Sequence, residues 1–464
     1  MILDAALLSR LQFAFTVGFH IIFPTLTIGL AWFLALLEGL WLRTGNTRYF
    51  HLYQFWVKVF ALSFGMGVVS GVVLSYQFGT NFSRFTDATG NVIGALLGYE
   101  VLTAFFLEAS FLGVMLFGWR RVPPPLHFAA TVIVAIGTTL SAFWILAANS
   151  WMHTPAGHTV RDGIFYVESW WEVIFNPSFP YRFTHMMLAS FLSAALLVAG
   201  VAAWHLLRDR QPELARPGLH LALLMIAVSA PAQVLVGDLH GLQVQRDQPI
   251  KVAAMEGAWE TERGAPLLLF AWPDQEAEEN RFAVGIPGLA SLILQHDPDG
   301  EVVGLKSVPA EDRPRVAIVF WAFRLMVGLG FLFLFIGLAG SWLWWRGRLE
   351  RHRNFLRLCV VSAPLGIVAM LAGWTVTETG RQPWIVHGLM RTADAISPVP
   401  AQAVLTSLSL FIAVYGVLLL AYLFYLGHMI HRGPEMSTEP PDYEPRRTAW
   451  LRPDPEAQGG SARG

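Results

Sequence analysis

Long apolar runs separated by polar segments constrain the fold of this chain more than any other feature. A helix needs about 20 mostly apolar residues to cross the hydrocarbon core of a bilayer. Nine runs are long enough: 12–41, 54–78, 95–118, 126–147, 184–207, 219–240, 316–345, 357–378 and 402–428. They are too long for barrel strands and do not alternate between apolar and polar residues. The sequence therefore predicts an all-α integral membrane protein with about nine transmembrane helices.

The arginines between the runs predict the orientation of the chain. Alternate connections are rich in arginine, and these arginines are Arg43, Arg48, Arg120, Arg121, Arg208, Arg210, Arg216, Arg346, Arg348, Arg351, Arg353 and Arg357. Positive charge marks the cytoplasmic side of a membrane protein. This rule places the N-terminus outside and the C-terminus in the cytoplasm. The first run lacks the basic start of a signal peptide, so we interpret it as a retained span.

The chain divides into four parts. Residues 1–240 hold the first six helices, and residues 316–431 hold helices seven to nine. Between them, residues 241–315 form a polar outer loop, and loops of this length are often functional. Residues 432–464 are rich in Pro, Glu, Arg and Gly, which predicts a disordered cytoplasmic tail.

The composition excludes several kinds of site. Cys359 is the only cysteine, so an internal disulfide and a thiolate metal cluster are both impossible. The net charge of −1 gives no indication of nucleic-acid binding. Fourteen histidines and thirteen methionines remain as possible metal ligands.

Ionisable residues inside predicted spans are costly and suggest function, and His20, Glu100 and Glu108 are the first candidates. His20 lies in the first span, either as a ligand or as a partner of a neighbouring helix. Glu100 and Glu108 lie eight residues apart in the third span, about 12 Å along a helix axis and offset by about 80°. This spacing suits two stations on a polar path, or two separate interhelical hydrogen bonds.

Further candidates lie near the ends of other spans. His185 begins the fifth span, and Met326 follows Arg324 by two residues in the seventh; taken alone, Met326 is more typical of core packing. A His–Met pair is a known axial set for electron-transfer haems, and the guanidinium near a span end suits a haem carboxylate. Glu378 ends the eighth span beside Arg381, one helical turn after Trp374. Alternatively, Trp374 belongs to an interfacial aromatic belt, and Glu378 and Arg381 form a surface ion pair.

These residues, together with motifs around several of them, resemble subunit I of the cytochrome bd-type quinol oxidases. The motifs are LQFAFTVGFHIIFPTLTIG near the N-terminus, NSWMHTPAG (149–157), QPIKVAAMEGAWET (248–261), FWAFRLMVGLGF (320–331) and GRQPW (380–384). They occur in the family's order and extend over nearly the whole chain, apart from the tail. The outer loop is of the family's shorter kind.

The resemblance implies three haems and a role for each candidate. His185 and Met326 match the axial ligands of a low-spin haem b. His20 and Glu378 match ligands of a high-spin haem b and of a third haem, either haem d or a further haem b. Arg324 and Arg381 match residues that balance haem carboxylates, with Trp374 packed beside them.

The resemblance also implies a substrate site and a proton path. Lys251 and Glu256 match the quinol site of the outer loop, and Glu100 and Glu108 match acidic residues of the proton path to the oxygen site. The implied activity is oxidation of quinol at the outer face and reduction of oxygen to water, without a proton pump. A second membrane subunit in a bacterial inner membrane is also implied, and a small single-span subunit is left open.

Two other classes of protein remain as alternatives. An ion- or proton-coupled transporter would use the same carboxylates without haem, although no internal repeat is visible. An electron-transfer cytochrome b would hold haems between paired histidines, and too few histidines lie in mid-membrane for two such sites. A visible absorption spectrum separates the transporter from a haem protein.

Overall fold

The computed structural model describes residues 4–436 and 439–441, and it is a bundle of long helices. The helices are α1 (Ala5–Thr44), α2 (Thr47–Asn81), α3 (Ser83–Phe117), α4 (Pro124–His153), α5 (Trp170–Ile174), α6 (Phe179–Leu207), α7 (Pro212–Asp247), α8 (Pro249–Glu256), α9 (Leu289–Gln295), α10 (Val316–Trp345), α11 (Arg353–Ser362), α12 (Leu365–Thr379) and α13 (Ala401–Arg432). Short 3₁₀ turns occupy Leu305–Ser307, Ala310–Asp312, Leu349–Arg351 and Thr392–Ala395.

The structure confirms the predicted number of spans. Within the described ranges, eight helices are long and apolar enough to cross a membrane, and the pair α11 and α12 makes a ninth. That pair is bent by 42°. Pro364 lies at the break, where its missing N–H and its ring disfavour a continuous helix.

Helices α1 and α6 lie at the centre of the bundle. They bury 67% and 72% of their most apolar windows, more than the other spans. Gly29 explains their close approach, because a Cβ there would lie 2.4 Å from the carbonyl oxygen of Ser190. A glycine is required where two backbones come this close.

Helix α3 departs from regular α-helical winding between the two predicted carboxylates. Residues Val101–Phe105 form a π-helical turn between Glu100 and Glu108. A π turn takes up about one extra residue, so the offset between the two side chains falls from about 80° to about 20°. The predicted offset is therefore wrong, because it assumed a regular helix.

The predicted outer loop is a folded segment rather than an irregular one. Helix α7 extends to Asp247, and α8 follows directly. The segment then forms small antiparallel sheets from strands β3 to β6. The strands of the described chain are β1 (His158–Arg161), β2 (Ile164–Val167), β3 (Glu262–Arg263), β4 (Leu267–Asp274), β5 (Glu279–Ile286), β6 (Glu301–Val302), β7 (Trp384–Val386) and β8 (Met390–Arg391). The pairs are β1–β2, β3–β6, β4–β5 and β7–β8.

The predicted disordered tail, 432–464, lies mostly outside the described residues.

Candidate functional site

Glu378 lies in the last turn of α12 and gathers polar partners from two other elements. Its Oε1 accepts a hydrogen bond from Asn149 at 2.9 Å and lies 3.4 Å from Nε2 of His153. Its Oε2 accepts from the Nη2 of Arg381, which follows one turn later. Asn149 and His153 are spaced by one turn at the end of α4, so both reach the same carboxylate.

Three buried cations surround this single carboxylate. The exposed fractions of Arg182, Lys251 and Arg381 are 6%, 3% and 6%. Among the described residues, the Nε of Arg182 and both the Nε and Nη1 of Arg381 are buried and have no hydrogen-bond partner. Burial lowers the pKa of the Arg381 guanidinium, and Glu378 opposes this shift. The cluster therefore has an excess of positive charge and unused donors, which an anionic ligand would satisfy.

Lys251 belongs to the Glu378 cluster. Its Nζ lies 3.1 Å from Nδ1 of His153, and its stem passes over Gly380, where a Cβ would lie 2.9 Å from its Cγ. Burial, together with Arg182 and Arg381, lowers the pKa of Lys251 well below its usual value, while Glu378 opposes the shift.

His387 extends the same cluster from the β7–β8 segment. Its backbone N–H donates to the carbonyl of Met152 at 2.9 Å. Burial, followed by the charges of Lys251 and Arg381, lowers the pKa of His387 to about 4. This histidine is therefore neutral at physiological pH.

His185 and Met326 lie on helices α6 and α10, which both pack against α7 and α12. The ring of His185 lies near Gly237, where a Cβ would be 3.5 Å from its Cε1, and its Nδ1 is buried without a partner among the described residues. The Sδ of Met326 lies against Gly373, where a Cβ would be 2.9 Å away. Each potential ligand thus has a glycine beside it on a neighbouring helix.

His20 has one ring nitrogen engaged by a serine. Its Nδ1 lies 2.9 Å from the Oγ of Ser70, which donates its own hydrogen to the carbonyl of Met66 at 2.8 Å. A hydroxyl that donates to Met66 can accept from Nδ1–H, and in that tautomer Nε2 carries the free lone pair. His20 is oriented as a metal-ligating histidine would be.

Glu100 and Glu108 both contact one face of α4. Ser141 donates to Glu100 at 2.8 Å, and a Cβ on Gly137 would lie 2.8 Å from the Cγ of Glu108. Ser141 and Gly137 are one turn apart. The π turn in α3 is what brings both carboxylates to this face.

Glu256 is the last residue of α8 and belongs to a second site. Lys251, on the same short helix, belongs to the Glu378 cluster instead. It is buried, and its Oε2 accepts from Arg324 at 2.8 Å. Arg324 also donates to the carbonyls of Met255 at 2.7 Å and Leu268 at 2.8 Å, which occupies all three of its nitrogens. Burial raises the pKa of Glu256, and Arg324 partly opposes the shift.

A cavity of about 390 Å³ opens beside Glu256. It lies between the end of α8 and the β4–β5 hairpin, with Trp259, Leu268 and Asn280 in its wall. Asn280 donates to the carbonyl of Gly257 at 2.7 Å and accepts from the indole of Trp259 at 3.1 Å. The turn that follows Glu256 is thereby fixed to the hairpin.

The predicted site residues thus fall into separate groups. Glu378, Arg381 and Lys251 meet in one buried cluster, and Trp374 packs against Phe179, Met187 and other apolar residues at its edge. Glu256 and Arg324 form a second group, and Glu100 and Glu108 form a third.

Sequence reasoning missed several members of these groups. Asn149 and His153 lie within the quoted motif NSWMHTPAG, and their spacing of four residues at a span end was the available signal. Arg182 lies three residues before His185 on the same helix face, which was a similar signal.

A buried polar network between α1, α2 and α4 was also missed. His127 Nδ1 lies 2.7 Å from Glu38 Oε1, and Thr131 donates to Glu38 Oε2 at 2.6 Å. The hydroxyl of Tyr53 lies 2.9 Å from that of Thr131, and Trp119 stacks on His127 at 3.8 Å. Glu38 lies within an apolar run, and its charge was the signal for a polar partner.

The ligand-type side chains of the described ranges do not assemble into a site for a bare metal ion. No three or more His, Cys, Asp or Glu side chains in those ranges converge on one point. Glycines lie beside His20, His185 and Met326, and unpaired cationic donors lie near Glu378. Single axial ligands with cations for carboxylates are what haem requires, so the donor set fits haem.

Comparison with known proteins identifies the family. The family model described as cytochrome bd terminal oxidase subunit I matches residues 8–434. Cytochrome bd-II ubiquinol oxidase subunit 1 of Escherichia coli (strain K12) is 34% identical, with 94% of this chain and 99% of that protein covered. Cytochrome bd ubiquinol oxidase subunit 1 of Bacillus subtilis (strain 168) is 35% identical, with 93% and 97% covered.

A solved structure has the same fold. The bd oxidase from Geobacillus thermodenitrificans aligns with a TM-score of 0.86 at 32% identity, over 93% of this chain and 99% of that chain. The arrangement of the spans therefore agrees with that solved structure. This chain belongs to the cytochrome bd terminal oxidase subunit I family.

Proposed function

We propose that this chain is the catalytic subunit of a respiratory quinol oxidase that oxidises quinol and reduces oxygen to water. Family membership supports a quinol oxidase, which is an oxidoreductase. One observation of the structure carries the proposal. The buried cluster at Glu378 has three cations, one carboxylate and unpaired arginine donors within a membrane bundle.

The chain's own residues would hold three haems. His185 and Met326 would hold a low-spin haem b, and His20 and Glu378 would serve a high-spin haem b and a third haem, either d or b. When bound, these haems supply the electron transfer and the oxygen-binding iron.

The two unpaired donors of Arg381 suit a haem carboxylate, and Arg182 adds a third unpaired donor that the sequence did not suggest. Arg324 was predicted to balance a haem carboxylate too. In the structure its three nitrogens bind Glu256 and two carbonyls. We therefore propose that the main role of Arg324 is to position Glu256 in the quinol site.

We expect Met326→Leu to convert the low-spin haem to a high-spin state or to lower its potential. Leucine keeps the volume of the side chain but removes the thioether sulfur that would bind iron. The measurement is the reduced absorption spectrum with a potentiometric titration. Met370→Leu, at a buried methionine of α12, is the matched control and should leave both unchanged. An unaltered spectrum and potential in Met326→Leu would remove Met326 as a ligand.

Quinol would bind in the cavity beside Glu256. Glu256 lies in the wall of this cavity, so its carboxylate is placed to accept a quinol proton, and its burial raises its pKa and favours that step. Lys251 was predicted to share this site. In the structure its ammonium lies in the Glu378 cluster, beside His153. We propose that Lys251 stabilises anionic groups between the two sites.

Protons for water would enter through α3. Glu108 and then Glu100 would carry them along α4, with Ser141 as a hydrogen-bond partner. The face of the bundle that holds residues 241–315 would be the outer one, so that proton uptake and release occur on opposite sides and charge separates without a pump.

We expect Glu108→Gln to reduce oxygen uptake by about 10²-fold, because an amide cannot carry a proton along the path. Haem content and the reduced spectrum should stay normal. Glu172→Gln, at an exposed carboxylate, is the control. Normal turnover in Glu108→Gln would mean that protons take another route.

The proposed setting is a bacterial inner membrane, with a second membrane subunit against the exposed faces of the bundle. A small single-span subunit is a further option.

The decisive experiment is an absorption spectrum of the purified protein, with extracted-haem analysis and quinol-driven oxygen uptake. A colourless protein with full helix content would reject the proposal in favour of a haem-free transporter.

A further inference from the structure

The β4–β5 hairpin lies alongside the first turns of α10. At its tip, Gln275 accepts from the backbone N–H of Val316 at 3.1 Å, and Glu278 pairs with Arg313 at 2.6 Å. Further along, the rings of Phe270 and Trp321 lie 5.1 Å apart. Furthest from the tip, Arg324 binds the Leu268 carbonyl at 2.8 Å. Strand β4 therefore descends along the helix towards the bilayer centre.

The length of α10 sets the depth that the hairpin reaches. Its 30 residues span about 45 Å, against about 30 Å for the hydrocarbon core. If the excess is shared between the two ends, the core begins about five residues after Val316, near Trp321. The contacts with Trp321 and Arg324 therefore place Phe270 and Leu268 at the level of the acyl chains or just above them.

The side chains of the hairpin change character along this direction. Charged residues occupy the tip, and these are Asp274, Glu276, Glu278, Glu279 and Arg281. Apolar residues occupy the deeper part and stay exposed in the isolated chain: Leu269 is 56% exposed, Phe270 44%, Phe282 80%, Val284 59% and Ile286 45%. Exposed apolar patches of this kind mark contacts with a membrane or another protein.

The outward face of the hairpin continues a stripe of α10. Phe270 and Val284 are paired across the two strands. Phe270 packs on Trp321, which is flanked on the same helix face by Ile318 and Leu325, both about half exposed. This stripe lies within a membrane span, so the hairpin face beside it meets the same surroundings.

We propose that the β4–β5 hairpin is inserted into the lipid headgroup and upper acyl region, with its outward face against lipid. On its inner side, Leu268 and Asn280 form part of the wall of the cavity beside Glu256. A long-tailed quinol dissolved in the bilayer therefore reaches the cavity past the hairpin. This last step rests on the proposed function, whereas the lipid contact does not.

The lipid contact is tested by nitroxide labels on the full protein in lipid nanodiscs. Val284→Cys and Glu276→Cys are both exposed positions on one hairpin, and the only native cysteine, Cys359, is buried. We expect the label at 284 to collide more with oxygen, which partitions into lipid, and the label at 276 to collide more with a water-soluble nickel chelate. The ratio of the two collision rates cancels any effect of haem iron on the label.

Two outcomes would overturn the proposal. Greater nickel access at 284 would place the hairpin in water. Low access of both reagents at 284 would mean that a protein subunit covers the face.

The quinol route is tested separately by Val284→Asp. We expect this variant to raise the KM for a long-tailed quinol several-fold and to leave the kcat and the KM for a short-tailed, water-soluble quinol unchanged. Equal KM changes for both quinols would reject the route through lipid while leaving the collision result to stand. Absence of quinol oxidation in the unmodified protein would instead refute the proposed function.

Discussion

Glu378→Ala is expected to lose one high-spin haem, to abolish oxygen reduction and to spare the haem at His185 and Met326. Within the part of the chain that the structure describes, Glu378 is the carboxylate that faces Arg182, Lys251 and Arg381, and it also accepts a hydrogen bond from Asn149. Breaking one partner of a buried ion pair costs about 3–5 kcal/mol, and the partial exposure of Glu378 lowers this figure. The measurement is haem stoichiometry in the purified variant, beside oxygen uptake.

Glu378→Gln separates the charge of this residue from its shape. The amide can keep the contact with Asn149, but it removes the negative charge that faces the three cations. We therefore expect nearly the same loss as in Glu378→Ala, while the exposed control Glu172→Gln keeps full activity. Full haem content with near-normal turnover in Glu378→Gln would show that Glu378 is only an interfacial carboxylate.

Glu256→Ala is expected to lower quinol-driven oxygen uptake by about 10²-fold, the usual contribution of a positioned proton acceptor. All haems should remain bound, because Glu256 lies in the cavity beside Arg324. Uptake driven by an artificial one-electron donor should fall much less. Equal losses with both donors would place the quinol site elsewhere.

The control and the pH profile sharpen this test. Glu260→Ala removes another carboxylate from the same cavity, one that pairs with Lys306 near the surface, and should have little effect. A proton acceptor works only when ionised, so activity is lost as pH falls through its pKa. Burial raises the pKa of Glu256, so the loss should occur at a higher pH than for an ordinary carboxylate. Glu256→Gln should lose this dependence.

The spans were predictable because their length and apolarity follow directly from the thickness of a bilayer. The position of Glu378 at a helix end was predictable too, since the eighth span was predicted to end at Glu378 and α12 ends at Thr379. The bend at Pro364 alters the direction of the eighth span and leaves its existence unaffected.

Other features depend on tertiary contacts that no local pattern encodes. The π turn at Val101–Phe105 has no clear signature in the sequence, so the relative direction of Glu100 and Glu108 could not be derived. The family resemblance assigned Lys251 and Glu256 to one quinol site, and the structure places both on the short helix α8. They point to different partners, since five residues on a helix differ by about 140° in direction.

The network around Glu38 bears on how the chain assembles in the membrane. Glu38 of the first span contacts His127 and Thr131 of the fourth, and Tyr53 of the second span contacts Thr131, so the network forms only when the fourth span joins the first two. Interhelical hydrogen bonds in lipid contribute about 0.6–2 kcal/mol each, and a stranded carboxylate is costly. The early part of the chain can therefore lock into its final packing during biogenesis, before any cofactor is inserted at the other sites.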